Sequence, residues 1–329
     1  MTALHEAHDA ALFDLDGVIY LGPHAIDGVP EALRELRATG AHVGFVTNNA
    51  ARTPAAVAEH LVELGIEAEE SDVVNSTQAT LRMLAADLPP GSRILVVGTE
   101  ALASQLAGAG FTPVHTLADE PVAVVQGYHP DVDWKLLELG ALAIQGGAPW
   151  YATNPDMTRP TERGILPGCG AQVAVVRACV GVEPKVAGKP FRPLLDETVL
   201  RLGATHPVFV GDRLDTDILG ANTVGMDSLF VFTGAHGKAD LAAAEVEYRP
   251  THIAWDVAGL LAPVRTVDIS DSAARCGEQV VEVADGVAAL VTPVGDRDQQ
   301  LDALWAALQL RWHHGTDIDA ILPVLDGLR

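Results

Sequence analysis

The stretch "AALFDLDGVIYLG", residues 10–22, places two carboxylates at the end of a short apolar run. The run "AALFDL" has the length and composition of a fully buried strand. Asp14 and Asp16 close it, and a glycine follows at once. Such a pair serves metal binding, nucleophilic catalysis or an ordinary turn. It does not fit an EF-hand loop, which needs glycine at its sixth position and glutamate at its twelfth.

Strand-like and helix-like segments alternate on both sides of this stretch. "VPEALRELRATG" and "TPAAVAEHLVELG" have helical periodicity, and "AHVGFVTNN" between them is a second buried strand. Such alternation predicts an α/β fold, a doubly wound, Rossmann-like parallel sheet covered by helices. Asp14, Asp16, Thr47 and Asn48 then lie at strand ends, where such sheets bind ligands.

The segments predict three domains. The first is an α/β core that comprises residues 1–77 and 187–262, and a second strand–helix series, residues 78–186, is an inserted α/β domain. Residues 263–329 form a small α+β appendage. In it, "EQVVEVADGVAALVTPV" predicts a hairpin that turns at Asp285 and Gly286. "DQQLDALWAALQLRWHHG" predicts an amphipathic helix, and "DIDAILPVLDGL" a shorter one.

Composition narrows the classes of function. A formal net charge of −23 argues against a non-specific nucleic-acid binder, which needs an excess of Lys and Arg. Three cysteines are too few for a disulfide framework and indicate a reducing compartment. The start "MTALHEAHDA" is unlike a signal peptide, and no apolar run is long enough to span a bilayer. We therefore expect a cytoplasmic protein with neither membrane nor nucleic-acid partners.

Two further segments supply charged groups at predicted strand ends. "VFVGDRLDTDILGAN" places Asp212, Asp215 and Asp217 within six residues, and these acids repel one another unless a cation lies between them. Carboxylates converging from two strands form an oxygen site suited to Mg²⁺. "VAGKPF" offers Lys189, one of only four lysines, as a partner for phosphate or carboxylate.

The four segments, in the order D-x-D-G-V, T-N-N, G-K-P and G-D-x-x-x-T-D-I, resemble the signature motifs of the haloacid dehalogenase superfamily. The resemblance covers residues 8–262 and is greatest to nitrophenyl-phosphatase-like enzymes with a large α/β cap, here residues 78–186. It implies Mg²⁺-dependent hydrolysis of small phosphate monoesters through an aspartyl-phosphate. Similarity within the branch favours glycerol 3-phosphate. The alternatives are 2-phosphoglycolate and other sugar or nucleotide monophosphates.

The resemblance also implies roles for single residues. Asp14 is the nucleophile, and Asp16 protonates the leaving group and then activates water. Mg²⁺ is held by Asp14, the backbone carbonyl of Asp16 and Asp212, with Asp217 binding through water. Thr47, Asn48 and Lys189 bind the phosphoryl oxygens.

The cap is expected to determine specificity. Asn154 and Asp156, together with Gly168 and Gly170, are the candidate specificity residues, and the two glycines are predicted to bracket a tight loop. Arg159 and Arg163 are candidates for contact with a substrate carboxylate.

Two other classes of function stay open at this point. A magnesium-dependent sugar-nucleotide transferase would use D-x-D, but has no need of the T-N-N and G-K-P segments. A non-catalytic phosphometabolite-binding protein would not need both Asp14 and Asp16. The appendage resembles the central strand–loop–helix of acyl-CoA-dependent acetyltransferases, without their glycine-rich loop. We hypothesise that it is a degenerate module that pairs subunits of a homodimer or braces the core.

Overall fold

A computed structural model describes residues 2–161 and 164–328. The chain divides into unit 1, which combines residues 1–43 and 205–329, and unit 2, residues 44–204. The domain boundaries predicted from sequence, after residues 77, 186 and 262, stay a prediction. Arg163, a candidate for contact with a substrate carboxylate, lies outside the described residues.

Strands and helices alternate along most of the chain. The first are β1 (Ala10–Phe13), β2 (Tyr20–Leu21), β3 (His24–Ala25), α1 (Val29–Ala38) and β4 (His42–Thr47). Then come α2 (Pro54–Glu63), β5 (Val73–Asn75), α3 (Ser76–Asp87), β6 (Arg93–Val97), α4 (Glu100–Gly108), β7 (Thr112–Val114), β8 (Ala123–Gln126), α5 (Trp134–Gln145), β9 (Trp150–Ala152), β10 (Thr158–Thr161), β11 (Gly164–Pro167), α6 (Cys169–Arg177), β12 (Lys185–Val186) and α7 (Arg192–Leu202). The last are β13 (Pro207–Gly211), α8 (Leu219–Val224), β14 (Asp227–Val231), α9 (Lys238–Ala243), β15 (His252–Ala254), β16 (Val267–Ser270), β17 (Ala273–Cys276), β18 (Gln279–Ala284), β19 (Val287–Leu290) and α10 (Arg297–His314).

Unit 1 contains a parallel arrangement of four strands. β13 lies between β1 and β14, and β15 pairs with the other edge of β14. β1 and β13 are buried throughout, as expected of strands covered on both faces. Each of these two strands ends directly before an aspartate, Asp14 or Asp212. The predicted α/β fold with a parallel sheet is therefore confirmed.

The C-terminal part of unit 1 is an antiparallel meander, β16 to β19, with α10 packed against it. The predicted hairpin is confirmed: Ala284 pairs with Val287, and Asp285 and Gly286 both have positive φ, as a two-residue turn of this kind requires. The long helix is confirmed as α10. The prediction of a shorter helix is wrong, since that segment contains only the 3₁₀ turn Leu322–Val324, where Pro323 removes a backbone donor.

This C-terminal module shares one hydrophobic core with the parallel strands of unit 1. The buried members of this core include Phe230, Ile253, Val281, Leu304 and Leu308. In addition, the Lys238 ammonium of α9 donates to the carbonyls of Leu325 and Leu328, at 2.5 and 2.7 Å. The module thus packs on the parallel strands of unit 1, while its bracing of the core and its pairing of subunits in a homodimer stay predictions.

We expect Leu304→Ala to lower the free energy of unfolding by about 2–5 kcal/mol, because it opens a cavity in a core that two substructures share. Leu200, which is 56% exposed, is the matched control, and Leu200→Ala should change stability by no more than about 0.5 kcal/mol. Urea denaturation of both variants measures the difference. Equal stabilities would mean that the module does not brace unit 1.

Unit 2 is also α/β. Its larger sheet is wholly parallel, in the order β12, β9, β8, β6 and β7. β4 and β5 form a further parallel pair, and β10 and β11 form an antiparallel hairpin. Helix α2 begins with Pro54 in its first turn, and the Thr53 hydroxyl accepts the Ala56 N–H at 3.3 Å.

Among the helices of residues 2–161 and 164–328, none combines the length and the hydropathy that crossing a membrane requires.

Candidate active site

The first aspartate pair lies where β1 gives way to a tight turn. The Asp14 N–H donates to the Val210 carbonyl at 2.9 Å, which continues the ladder between β1 and β13 by one residue. The Leu15 carbonyl then accepts the Ile19 N–H at 2.9 Å, and Gly17 takes a φ of +92°. This turn leaves Asp14 half-buried and Asp16 exposed.

Three carboxylates of unit 1 converge at the carboxyl ends of β1 and β13. One oxygen each from Asp14, Asp212 and Asp217 lies within 4.8 Å of the other two. We call these three residues the acidic triad. Asp212 and Asp217 are 2% and 1% exposed, and Asp217 sits in a π-helical turn, Leu214–Ile218, that leads into α8. Among the described residues, the Asp16 carboxylate does not belong to this group.

Backbone N–H groups hold two of the triad carboxylates. The Ala235 N–H donates to Asp212 Oδ2 at 2.6 Å, and the Arg213 N–H donates to Asp217 Oδ2 at 3.1 Å. Thr233 donates its hydroxyl to the Gly17 carbonyl at 2.6 Å. Sequence reasoning missed this 233–235 segment. Its position directly after the strand "SLFVF" was the available signal.

Glycines pack tightly against the same carboxylates. A Cβ atom at Gly234 would lie 1.8 Å from Asp212 Oδ2, and one at Gly17 would lie 2.6 Å from that oxygen. A Cβ at Gly211 would lie 2.3 Å from the Asp217 Cβ. The close packing of these glycines therefore restricts the positions of the Asp212 and Asp217 side chains. Three hard oxygen donors held this close together fit Mg²⁺, which prefers carboxylate and water ligands.

Asp215, the third acid of its segment, is directed elsewhere. Its carboxylate accepts from Arg213 Nε at 3.0 Å and from Nη2 at 2.8 Å. Burial raises the pKa of Asp215, but hydrogen bonds and charge from Arg213 outweigh burial, so the pKa lies below its ordinary value. Asp215 is thus neutralised by its neighbour rather than by a shared cation.

Unit 2 brings Asn48 and Lys189 together. The Asn48 side-chain oxygen accepts the Lys189 N–H at 2.7 Å, and its Nδ2 donates to the Lys189 carbonyl at 3.0 Å. Nδ2 also donates to Asp156 Oδ1 at 3.1 Å. Both amide hydrogens are therefore used within unit 2. Lys189 is 1% exposed, so its ammonium-bearing chain is held in the interior.

Neighbouring polar groups fix the backbone at Asn48. The Ser76 hydroxyl and the Asn154 side-chain amide donate to the Asn48 carbonyl at 2.6 and 2.7 Å. Thr47 Oγ1 accepts the Asn49 N–H at 3.1 Å, and a hydroxyl that accepts still has its own hydrogen to donate. Ser76 and the positioning role of Asn154 were missed, because sequence separations of 28 and 106 residues carry no local pattern.

The tight loop predicted around Gly168 and Gly170 is wrong. Gly168 is the N-cap residue of α6, and Gly170 lies in its first turn. Cβ atoms there would lie 2.2 Å from the Asp156 carbonyl oxygen and 2.1 Å from that of Pro155, so both glycines allow α6 to approach the 154–156 turn. Arg159 is half-buried, with its guanidinium 4.9 Å from the centre of the Tyr128 ring.

Comparisons with known families match the segments that contain these residues. A family model for haloacid dehalogenase-like hydrolases matches residues 11–112, and a model described as HAD-hydrolase-like matches residues 186–260. The first range contains Asp14, Asp16, Thr47 and Asn48. The second contains Lys189, Asp212 and Asp217.

Individual relatives are phosphatases. A D-glycerol 3-phosphate phosphatase of Mycobacterium tuberculosis is 46% identical over 260 residues, which are 79% of this chain and 73% of that protein. An acid sugar phosphatase of Staphylococcus aureus is 36% identical over 71% of this chain and 90% of its own. The crystal structure of glycerol phosphate phosphatase Rv1692 from M. tuberculosis, in complex with magnesium, superposes with a TM-score of 0.82 at 40% identity, covering 94% of this chain and 92% of that one.

Proposed function

Because this chain belongs to the haloacid dehalogenase-like hydrolases and is a phosphoric monoester hydrolase that uses Mg²⁺, we propose that its substrate is glycerol 3-phosphate. The products are then glycerol and inorganic phosphate. The observation that carries the proposal is the acidic triad, three carboxylates within 4.8 Å at two strand ends, in a chain 46% identical to a D-glycerol 3-phosphate phosphatase.

The proposed reaction divides the work between Asp14 and Asp16. An Asp14 oxygen attacks phosphorus, the ester P–O bond breaks, and Asp16 gives its proton to the departing glycerol oxygen. Asp16, now a carboxylate, takes a proton from water, whose oxygen attacks the aspartyl-phosphate and releases Asp14. The exposure of Asp16 suits a group that exchanges protons with the leaving group and with water.

The remaining residues bind and orient. Asp14, Asp212 and the Asp16 carbonyl would hold Mg²⁺, and Asp217 would bind it through water. When bound, Mg²⁺ supplies positive charge that offsets the repulsion between carboxylate and phosphate. The Thr47 hydroxyl and the Lys189 ammonium bind phosphoryl oxygens. Asn48 contributes its backbone N–H, since its side-chain amide is engaged with Lys189 and Asp156.

The Asp156 carboxylate supports a neutral alcohol as the remainder of the substrate. Its Oδ1 accepts the Asn48 side-chain amide at 3.1 Å, so it lies beside the turn that carries Thr47 and Asn48. Carboxylate oxygens accept hydrogen bonds from hydroxyl groups such as those of glycerol. We therefore propose Asp156 as a specificity residue, and Asn154, Gly168 and Gly170 as residues that position it.

A panel of esters tests the proposal. Phosphate release in the presence of Mg²⁺ is compared for glycerol 3-phosphate, 2-phosphoglycolate, sugar phosphates and p-nitrophenyl phosphate. We expect kcat/KM to be highest for glycerol 3-phosphate, at least about tenfold above that for 2-phosphoglycolate, a difference of about 1.4 kcal/mol. A higher kcat/KM for 2-phosphoglycolate would make that ester, instead of glycerol 3-phosphate, the preferred substrate. No release from any ester would overturn the assignment of the active site.

We also propose that the enzyme works in the cytoplasm. Burial raises the pKa of Cys169 to about 11 and that of Cys276 to about 12, so both thiols stay protonated and inert. Cys179 is exposed and free, which suits a reducing compartment.

A further inference from the structure

A second group of metal-ligating side chains lies at the other end of the unit 1 strands. His8 lies two residues before β1, His206 directly precedes β13, and Asp227 is the first residue of β14. One ligand atom from each lies within 4.8 Å of the other two. We call these three residues the His–His–Asp cluster. At about 3.3 Å per residue, the six residues from His8 to Asp14 separate it from the acidic triad by about 20 Å.

We propose that the His–His–Asp cluster binds Zn²⁺, in a site separate from the magnesium site of the phosphatase. Two imidazoles and one carboxylate, with water in the fourth position, are a ligand set that Zn²⁺ accepts. The same set is a poor one for Mg²⁺, which requires oxygen donors.

The burial of His8 supports the proposal. Its side chain is 3% exposed, and its Nε2 lies 3.9 Å from Asp227 Oδ2, which is longer than a hydrogen bond. Within residues 2–161 and 164–328, its buried Nδ1 has no hydrogen-bond partner. A buried ring nitrogen without a hydrogen-bond partner is a donor that a bound metal ion would satisfy.

The backbone holds the two histidines side by side. Asp9 accepts hydrogen bonds from the Thr205 N–H at 2.6 Å, the Thr205 hydroxyl at 2.5 Å and the His206 N–H at 2.9 Å. The rings of His8 and His206 are consequently 5.0 Å apart, centre to centre. Ligands of a tetrahedral Zn²⁺ lie about 3.3 Å apart. Reaching that spacing requires rotation of side chains, and His206 is exposed and Asp227 partly exposed, so their burial does not oppose it.

Metal titration of the untagged full-length enzyme tests the proposal. Zn²⁺ binding is measured by isothermal titration calorimetry with Mg²⁺ present, and thermal unfolding is followed with and without Zn²⁺. The variants are His206→Ala and Asp227→Asn. The control is His115→Ala, which removes an exposed histidine from unit 2.

We expect both cluster variants to bind one equivalent of Zn²⁺ fewer than the wild type, or to bind it at least about tenfold more weakly. They should also lose the zinc-dependent rise in Tm while keeping the Mg²⁺-supported phosphatase rate. His115→Ala should behave as the wild type. Zinc stoichiometry and affinity that are unchanged in both variants would overturn the proposal. Because His206 is exposed, its substitution leaves the core intact, and the zinc-free Tm verifies this.

Discussion

Asp14→Asn should reduce phosphate release from p-nitrophenyl phosphate and from glycerol 3-phosphate by at least about 10⁴-fold, the scale of loss when a covalent nucleophile is removed. Asparagine has the same shape, and the backbone bond from residue 14 to the Val210 carbonyl does not depend on the side chain. The loss therefore reports chemistry rather than a displaced strand. Activity above about one per cent of the wild-type activity would show that Asp14 is not the nucleophile.

Stability measured without metal separates this effect from unfolding. The triad oxygens lie within 4.8 Å of one another, so three carboxylates repel when no cation is bound. Asp14→Asn removes one of these charges. We expect its Tm in a chelator to equal or exceed that of the wild type, with a smaller rise when Mg²⁺ is added. Asp215→Asn is the matched control, because Asp215 pairs with Arg213 instead of the triad. It should retain activity within about tenfold.

The roles of Asp16 and Asp14 can be distinguished by comparing esters with different leaving groups. Departure of a glycerol alkoxide requires a proton, whereas nitrophenolate leaves readily without one. Asp16→Asn should therefore lower kcat/KM, which reports the steps up to departure of the leaving group, more strongly for glycerol 3-phosphate than for p-nitrophenyl phosphate. Equal losses of kcat/KM for the two esters would contradict the role of Asp16 as the acid.

The sequence was sufficient for features that rest on local patterns. Asp14 and Asp212 each follow an apolar run, and such runs become the buried strands β1 and β13, whose carboxyl ends share an edge of the sheet. Asp285 and Gly286 predicted their hairpin because few residues adopt two successive positive φ angles. In both cases the physical cause acts over a few residues.

Features that depend on tertiary packing were out of reach. The bonds that join Asn48 to Asp156 and to Lys189 span 108 and 141 residues, and their partners are common polar residues. The Ala235 N–H that holds Asp212 belongs to the backbone and leaves no mark in side-chain chemistry. The prediction of a helix near the C-terminus was wrong, although the apolar residues there do have helical spacing. Ile318, Ile321 and Leu325 pack into the hydrophobic core from turns instead.

Gly234→Ala should raise the Mg²⁺ concentration needed for half-maximal phosphatase activity by about 10- to 100-fold, although it adds only one methyl group. The new Cβ would lie 1.8 Å from Asp212 Oδ2 and 2.3 Å from its Cγ, so the carboxylate has to move. Its movement strains the 2.6 Å bond from the Ala235 N–H. Disturbing a group that orients a metal ligand typically lowers the affinity for the metal 10- to 100-fold, and the expected range follows from this.

Gly108→Ala is the matched control, because a Cβ there meets no atom within 4 Å. It should leave the Mg²⁺ dependence unchanged. Mg²⁺ titrations of initial rate, with calorimetric titration of the metal, measure both variants. If Gly234→Ala required no more Mg²⁺ than the wild type, Asp212 could not be a metal ligand in the position described. If the requirement rises while the rate at saturating Mg²⁺ recovers, the displaced Asp212 still binds metal, and the glycine acts only by giving that carboxylate room.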